Sequence, residues 1–360
     1  MTWESTLTWS YLSVLTKRRY DALKQVYGDL DAPLNTLNEN MLRELGMKEE
    51  PLRETLVRLA EFDAKIYEEA LEKAGVCLLS IEDEAYPPPL LQLPDPPIFL
   101  TYRGDLSCLD QPLLGVVGTR AMSPYGRRVA AEFVPGIVRA GVVTISGLAL
   151  GIDARVAEET LSSGGRTVAV LGGGLGDVRP LTNAALAERI VEGGGLLLSE
   201  FPLDRIPSIY TFPARNRIIA GLSLGCLVLE APAESGALIT AELALDYGRD
   251  VFAVPGQAFD PNYLGCHKLV ASGRAKLVTH PDDVLEELGI VIPPGGEPMP
   301  FVAATPEEGA VHSLLTTLPQ PIDHLVERSG MPSSIIAGVL TMLELKGVAR
   351  NVGTAQWVRT

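Results

Sequence analysis

A doubly wound parallel α/β sheet is predicted for most of this 360-residue chain by three observations. From Leu113 onward, short apolar runs alternate with helical segments. The runs are near-continuous in apolar residues, as strands covered by helices on both faces require. Glycines mark the junctions. The expected strands are Leu113 to Val117, Val142 to Ile145, Thr167 to Leu171, Leu196 to Ser199, Cys226 to Glu230, Val251 to Val254 and Lys276 to Val278. In such folds ligands bind beyond the carboxyl ends of the strands.

Ahead of the sheet, residues 1–75 read as a small helical domain with helices Leu7 to Leu15, Arg18 to Val26, Glu39 to Leu45 and Glu50 to Lys73, punctuated by Gly28, Pro33 and Gly46. The sheet domain takes residues 76–292. It opens with a strand Val76 to Ile81, a stiff proline-rich connector from Tyr86 to Pro97, and the strand-like run Ile98 to Tyr102. Residues 293–304 form a Pro/Gly linker. Residues 305–360 read as a winged-helix-like domain: helices Pro306 to Thr316, Ile322 to Ser329 and Ser333 to Lys346, then a hairpin around Gly353. Its third helix is apolar with Lys346 as its one basic residue, so a structural or protein-contact role fits it better than major-groove reading.

The net charge of −15 excludes a protein that coats nucleic acid indiscriminately. Charge is unevenly spread: residues 1–110 hold 11 Lys and Arg against 20 Asp and Glu, and residues 111–295 hold 15 against 19. Thirteen of those 15 cations are arginine, the side chain suited to forked phosphate contacts. A local basic groove and a scatter of solvated arginines both fit that composition. Four cysteines without CxxC spacing fit free thiols in a reducing compartment, and the opening residues lack a signal-peptide pattern. The expected location is the cytoplasm, away from membranes, with no cofactor or metal.

Function is signalled most strongly by FPARNRIIAGLS, Phe212 to Ser223. An aromatic ring can stack on a base, guanidinium groups can hold phosphate, and an amide can read a polar edge, so Phe212, Arg215, Asn216 and Arg217 point to nucleic acid. A salt-bridged helix start is the competing reading. Two strand-to-helix loops add small residues suited to an anion: Gly118-Thr119-Arg120 before Ser123-Pro124, and Ser146-Gly147 within SGLALGID. Ser235 and Gly236 open a helix after the Cys226 to Glu230 strand. Glu230, Glu234 and Glu242 are read as anchors for Arg215 or Arg217, with acid–base chemistry as the alternative.

Two tempting motifs fail on context. VLGGGLGD has GxGxG rather than GxGxxG spacing, and Pro180 falls where a phosphate-binding helix would be running. GLSLG matches a nucleophile elbow as a string, but a helix precedes Ser223 and a strand follows it, the reverse of what an elbow needs. His267, His280, His312 and His324 form no triad pattern, and adjacent Cys266 and His267 point apart on a helix.

With GTRAMSPYG, SGLALGID, VLGGG, LLLSEFPLD, FPARNRIIAGLS, LEAPAESGALITAELALDYGRDVFAVPG and LGCHKLVASGRAKLV in this order, nearly the whole chain resembles the DNA-processing protein A (DprA/Smf) family. The resemblance implies an extended Rossmann-like domain that binds single-stranded DNA, forms a homodimer and helps load RecA onto incoming DNA during natural transformation, with no catalysis. By motif position it implies a DNA-binding pocket of Gly118, Thr119, Arg120, Ser146, Gly147, Phe212, Arg215, Asn216 and Arg217, with Ser235 and Gly236 on the same side. It also implies a sterile-alpha-motif-like front module. The chain departs from the family in having Arg179-Pro180 for a Tyr-Pro pair, and Leu15-Thr16-Lys17-Arg18-Arg19 for a glycine-containing hairpin. Two other classes remain: a nucleoside-monophosphate-cleaving enzyme of the related LOG type, for which the PGGxGTxxE signature is missing and Glu242 is the testable residue, and a protein-binding scaffold.

Overall fold

The computed structural model describes residues 1–290, 303, 305–316, 319–345, 348–353 and 356–359. The expected linker, apart from residue 303, and Lys346 lie outside them. The chain forms two compact units, Met1–Ile292 and Pro293–Thr360.

The first unit opens with six helices: α1 (Trp3–Leu12), α2 (Lys17–Tyr27), α3 (Asp31–Asn35), α4 (Glu39–Glu44), α5 (Glu49–Glu61) and α6 (Ala64–Ala74). Thr2, Thr16, Asn38 and Asp63 cap their helices by accepting hydrogen bonds from backbone amides. Asp63 explains why the expected helix Glu50 to Lys73 is two. With Phe62 extended, the Asp63 carboxylate accepts from the amides of Lys65 and Ile66 at 2.9 and 3.1 Å and starts a new helix.

The sheet is then laid down by β1 (Cys77–Ser80), α7 (Pro88–Leu91), β2 (Phe99–Gly104), β3 (Leu113–Gly118), α8 (Pro124–Arg139), β4 (Val143–Ser146), α9 (Ile152–Ser162), β5 (Thr167–Val170), α10 (Ala184–Glu192), β6 (Leu196–Ser199), α11 (Thr211–Leu222), β7 (Gly225–Glu230), α12 (Gly236–Asp246), β8 (Asp250–Ala253), α13 (Leu264–Ala271), β9 (Lys276–Leu277) and α14 (Pro281–Glu287). Nine strands pair in the order β1-β2-β6-β5-β4-β3-β7-β8-β9. The seven expected strands all form and run parallel, while β1 and β2 add an antiparallel edge, so the sheet is mixed. The strand order reverses beside β3: β4 lies on one side of it and β7 on the other. A crevice at the carboxyl ends is expected there.

The proline-rich stretch is part of the core rather than a spacer. Pro88 begins the single-turn α7, Tyr86 donates to the Pro97 carbonyl at 2.6 Å, and Tyr86, Leu90 and Leu93 are buried with the sheet. The front helices are equally embedded. Leu7, Tyr67 and Leu71 share a core with Leu171, Leu175 and Leu197, and Trp9, Leu12 and Tyr20 pack with Ile98 and Phe99. The boundary expected at 75/76 therefore falls inside one packed unit.

The second unit holds α15 (Pro306–Leu314), β10 (Gln320–Pro321), α16 (Ile322–Ser329), α17 (Ser333–Leu345), β11 (Ala349–Asn351) and β12 (Gln356–Arg359). Its strands pair β10-β12-β11, a three-helix, three-strand winged-helix arrangement with the short β10 not foreseen. Ile336, Leu340 and Leu343 of α17 are buried in this unit's own core with Val311, Leu325 and Trp357. That accounts for the helix's apolar composition. Among the described residues, no helix is long and apolar enough to cross a membrane, and no cluster of three or more metal-ligating side chains occurs.

Candidate nucleic-acid interface

A cleft of about 510 Å³ opens where the strand order reverses, walled by the β3 loop, the start of α11 and the start of α12. Of the residues singled out in the sequence, Gly118, Thr119, Arg120, Phe212, Arg215, Asn216, Ser235 and Gly236 line it. Ser146 and Gly147 do not line it, and Arg217 lines a different cleft.

The glycines serve packing more than anion approach. A Cβ on Gly118 would stand 2.6 Å from Ile152 of α9, and one on Gly147 would overlap the Arg215 guanidinium. Gly236 differs: nothing lies within 4 Å of the place its Cβ would take, so the mouth of α12 is open, with Ser235 capping the helix by accepting from the Ala237 amide. Thr119 is held by backbone and side chain. Its amide donates to the Glu230 carbonyl at 2.8 Å, and its hydroxyl accepts from the Ala121 amide at 3.2 Å. Ser146 is buried, and its hydroxyl has no partner among the described residues.

Arg215 and Arg217 part company because successive helical residues are about 100° apart, so two positions put them on opposite sides of α11. Arg215 is 4% exposed; its Nη1 donates to the Val170 carbonyl beneath the cleft. Burial lowers its pKa to about 10, opposed by the charge of buried Asp153. Burial also raises the Asp153 pKa, against the Arg215 charge and the amides of Gly147 and Ala149. Asp153 accepts from those amides at 3.0 and 3.5 Å and so ties the SGLALGID loop to the helix. Arg215 is a floor strut, not the exposed phosphate clamp the motif implied. Arg217 faces a second cleft of about 450 Å³ lined by Trp9, Arg19, Phe99 and Phe201, and pairs with Glu200 at 2.5 Å. It does not converge with Arg120. Burial raises the Glu200 pKa in spite of that pairing.

The expectation that Glu230 or Glu242 anchors these arginines is corrected in the same way. Glu230 accepts from the Ser123 amide at 3.1 Å and so fixes the start of α8, while Glu242 pairs with Arg274. Arg179 forks onto neighbouring Asp177 on the surface. Ser223 is buried and donates to the Ile219 carbonyl at 2.6 Å, an arrangement that leaves no nucleophile.

What remains at the cleft mouth is Arg120, exposed and with no carboxylate partner among the described residues, its guanidinium 4.7 Å from the centre of the Phe212 ring. Asn216 is 8% exposed and lines the same cleft. The cleft is not a basic groove: its lining includes Arg120 and Arg215 against Asp153 and Glu234.

The VLGGG segment has a structural reading. Its glycines let the 202–207 loop lie close: the Gly174 amide donates to Arg205 O at 2.8 Å and the Gly176 amide to Leu203 O at 3.1 Å. A Cβ on Gly172 would touch the Phe212 ring at 2.9 Å. The front helices hold the same loop through Arg58–Asp204 and Glu54–Arg205 ion pairs, with Arg58 over Tyr11. Sequence reasoning missed Asp153, whose signal was an acid in the first turn of a helix after Gly151, and Ile209 and Tyr210, which are 76% and 81% exposed just ahead of Phe212.

The model of the family described as DNA recombination-mediator protein A matches residues 77–289. The chain belongs to that family. The DprA winged helix domain matches residues 296–353. Protein Smf of Escherichia coli K12 is 41% identical over 300 residues, covering 81% of this chain and 80% of the relative. DNA processing protein DprA of Streptococcus pneumoniae R6 is 45% identical over 208 residues, 58% of this chain and 73% of that protein. Among solved structures, DNA processing protein A from Streptococcus pneumoniae superposes with a TM-score of 0.66 at 36% identity, over 80% of this chain and 98% of that one. DNA processing protein A from Helicobacter pylori, whose structure is described in terms of its single-stranded DNA binding mode, has a TM-score of 0.54 at 28% identity, over 60% of this chain and 97% of its own. The mixed sheet with flanking helices and the winged-helix unit behind it are thus family architecture, as the resemblance in the motifs implied.

Proposed function

We propose that this recombination-mediator family member binds single-stranded DNA without catalysis, protects incoming strands and helps load RecA onto them during natural transformation, acting in the cytoplasm as a homodimer through the Rossmann-like domain. The observation that carries the reading is the mouth of the first cleft. There an unpaired arginine lying on an aromatic ring shares the cleft with the Asn216 amide at the carboxyl ends of the strands. The single-strand binding of the Helicobacter relative supports it. RecA loading, dimerisation and the division into helical (1–75), Rossmann-like (76–292) and winged-helix-like (305–360) functional parts rest on the resemblance in the motifs. The pairing of Glu242 with Arg274 gives the nucleotide-cleaving alternative nothing to build on.

The test is a titration of the full chain against single- and double-stranded oligonucleotides of equal length at two salt concentrations, with Arg120→Ala alongside. Preferential single-strand binding, weakened by the substitution, is expected. Equal affinity for the duplex, or no response to losing Arg120, would sink the assignment. RecA filament formation on strands already coated by a single-strand-binding protein, with and without this chain, tests the loading step.

A further inference from the structure

We propose that the second cleft, between the front helices and the sheet, is a binding site for a free guanine nucleoside whose Watson–Crick edge is taken by Glu200 and Arg217 together. The inference does not draw on the single-strand reading, because it concerns a different cavity and a small uncharged ligand. The first observation is that the Glu200–Arg217 pair is joined end-on. Glu200 Oε2 accepts from Arg217 Nη2 at 2.5 Å, while Glu200 Oε1 and Arg217 Nη1 are buried with no hydrogen-bond partner among the described residues. A forked pair would have used both oxygens and both nitrogens. The charge of Arg217 is answered, yet one acceptor and one donor are left over, and leaving buried polar atoms unmet is costly. Both residues line the cleft, so a molecule held there is the available partner.

Shape is the second observation. The cleft measures about 450 Å³, and its lining includes Trp9, Phe99, Phe201 and the Pro96-Pro97 pair. That volume takes a nucleoside, and aromatic and proline walls suit a flat ring. Charge is the third. The lining carries Arg19 and Arg217 against Asp95 and Glu200, so it sums to zero. Arg19 is committed to the carbonyls of Val14, Leu45 and Gly46 at 2.8, 3.0 and 3.4 Å, and no guanidinium is left to hold a phosphate. Burial raises the Glu200 pKa against the Arg217 charge, with Asp95 adding to the rise, so a ligand that brings N–H donors relieves the carboxylate. Among the bases, guanine brings two parallel donors, N1–H and N2–H, beside the O6 acceptor. The donors meet the carboxylate, and O6 meets Arg217 Nη1. Adenine and cytosine offer a single amino group on that edge, and uracil a single N–H.

The experiment is a calorimetric titration of the full chain with guanosine, inosine and adenosine. Inosine differs from guanosine only in lacking the N2 amino group. Guanosine is expected to bind, inosine to bind roughly tenfold more weakly for want of one hydrogen bond to a carboxylate, and adenosine more weakly again. Glu200→Gln and Arg217→Lys, each titrated after thermal melting has verified its fold, are expected to lose most of the preference for guanosine. Protein saturated with an oligothymidylate is expected to bind guanosine as the free protein does. Equal affinity for the three nucleosides, a preference that survives in both variants, or displacement of guanosine by the oligothymidylate would each overturn the inference and leave single-strand binding intact. Absence of guanosine binding would mean that water alone meets the two buried atoms, and would overturn it as well. An oligothymidylate that does not bind counts against the single-strand reading alone, with the nucleoside series still deciding the second cleft.

Discussion

Helix α11 divides two clefts, and the side chains on its two sides have opposite histories. Toward the sheet, Arg215 is withdrawn from water and compensated by buried Asp153, so its charge is spent inside the protein. Toward the front helices, Arg217 is mostly buried and spent on Glu200. The cation left free for a ligand, Arg120, comes from another loop and reaches the cleft by lying on Phe212. A motif dense in arginine need not be a motif that grips phosphate. The helical period sorts its members, and burial decides which retain a charge to offer.

The comparison breaks most decisively at Arg215. Arg215→Met removes the donor to the Val170 carbonyl and the positive charge near buried Asp153, and is expected to cost about 3 kcal/mol in urea unfolding, with Asp153→Asn in the same chain recovering part of it. A variant as stable as wild type would mean the buried guanidinium carries no structural load. Arg217→Ala comes next. Its pair with Glu200 is mostly but not wholly buried, so a loss of about 1–3 kcal/mol is expected, with the salt slope of single-strand binding unmoved. A changed slope would return Arg217 to the DNA surface. Arg120→Ala inverts that pattern: thermal stability within about 0.5 kcal/mol of wild type, and single-strand affinity lower by about tenfold.

The smallest effect is in the pH profile. Burial raises the Glu200 pKa, so its proton is held more tightly in the folded than in the unfolded chain. Stability from this group is full below the ordinary carboxyl range and falls as pH rises through the raised value. Glu200→Gln should flatten that part of the unfolding profile, read by denaturant midpoints across the acidic range. An unaltered profile would place the titration elsewhere.

The sheet was readable in the sequence because its signal is local. A strand covered on both faces must be apolar throughout, and most strand-to-helix junctions here carry glycine within a few residues. Leu113, Val143, Thr167 and Leu196 each open a strand within one residue of the position expected. The break at Asp63 was concealed because a capping residue inside an amphipathic run resembles any other surface acid. At the site, composition located the cleft's wall but not its electrostatics. Arg215 is drawn inward to the Val170 carbonyl and the field of Asp153, sixty-two positions earlier in the chain, surroundings that exist only after β4, α9 and α11 have packed together. Arg120 and Phe212 were each visible as candidates, while the stacking of one upon the other is a property of the turn at Gly118 and of the space cleared by Gly172.

The shared core of the front helices and the sheet also determines where the polypeptide tolerates being cut or grafted. A chain trimmed to begin at Cys77 would leave Leu171, Leu175, Leu197 and Phe99 without the side chains that cover them, and would present greasy patches to its neighbours. The segment that starts at Pro306 closes its own core around Val311, Leu340 and Trp357. Swapping that tail for another domain is therefore the less disruptive edit, and a fusion partner belongs at the junction behind the sheet rather than in front of it.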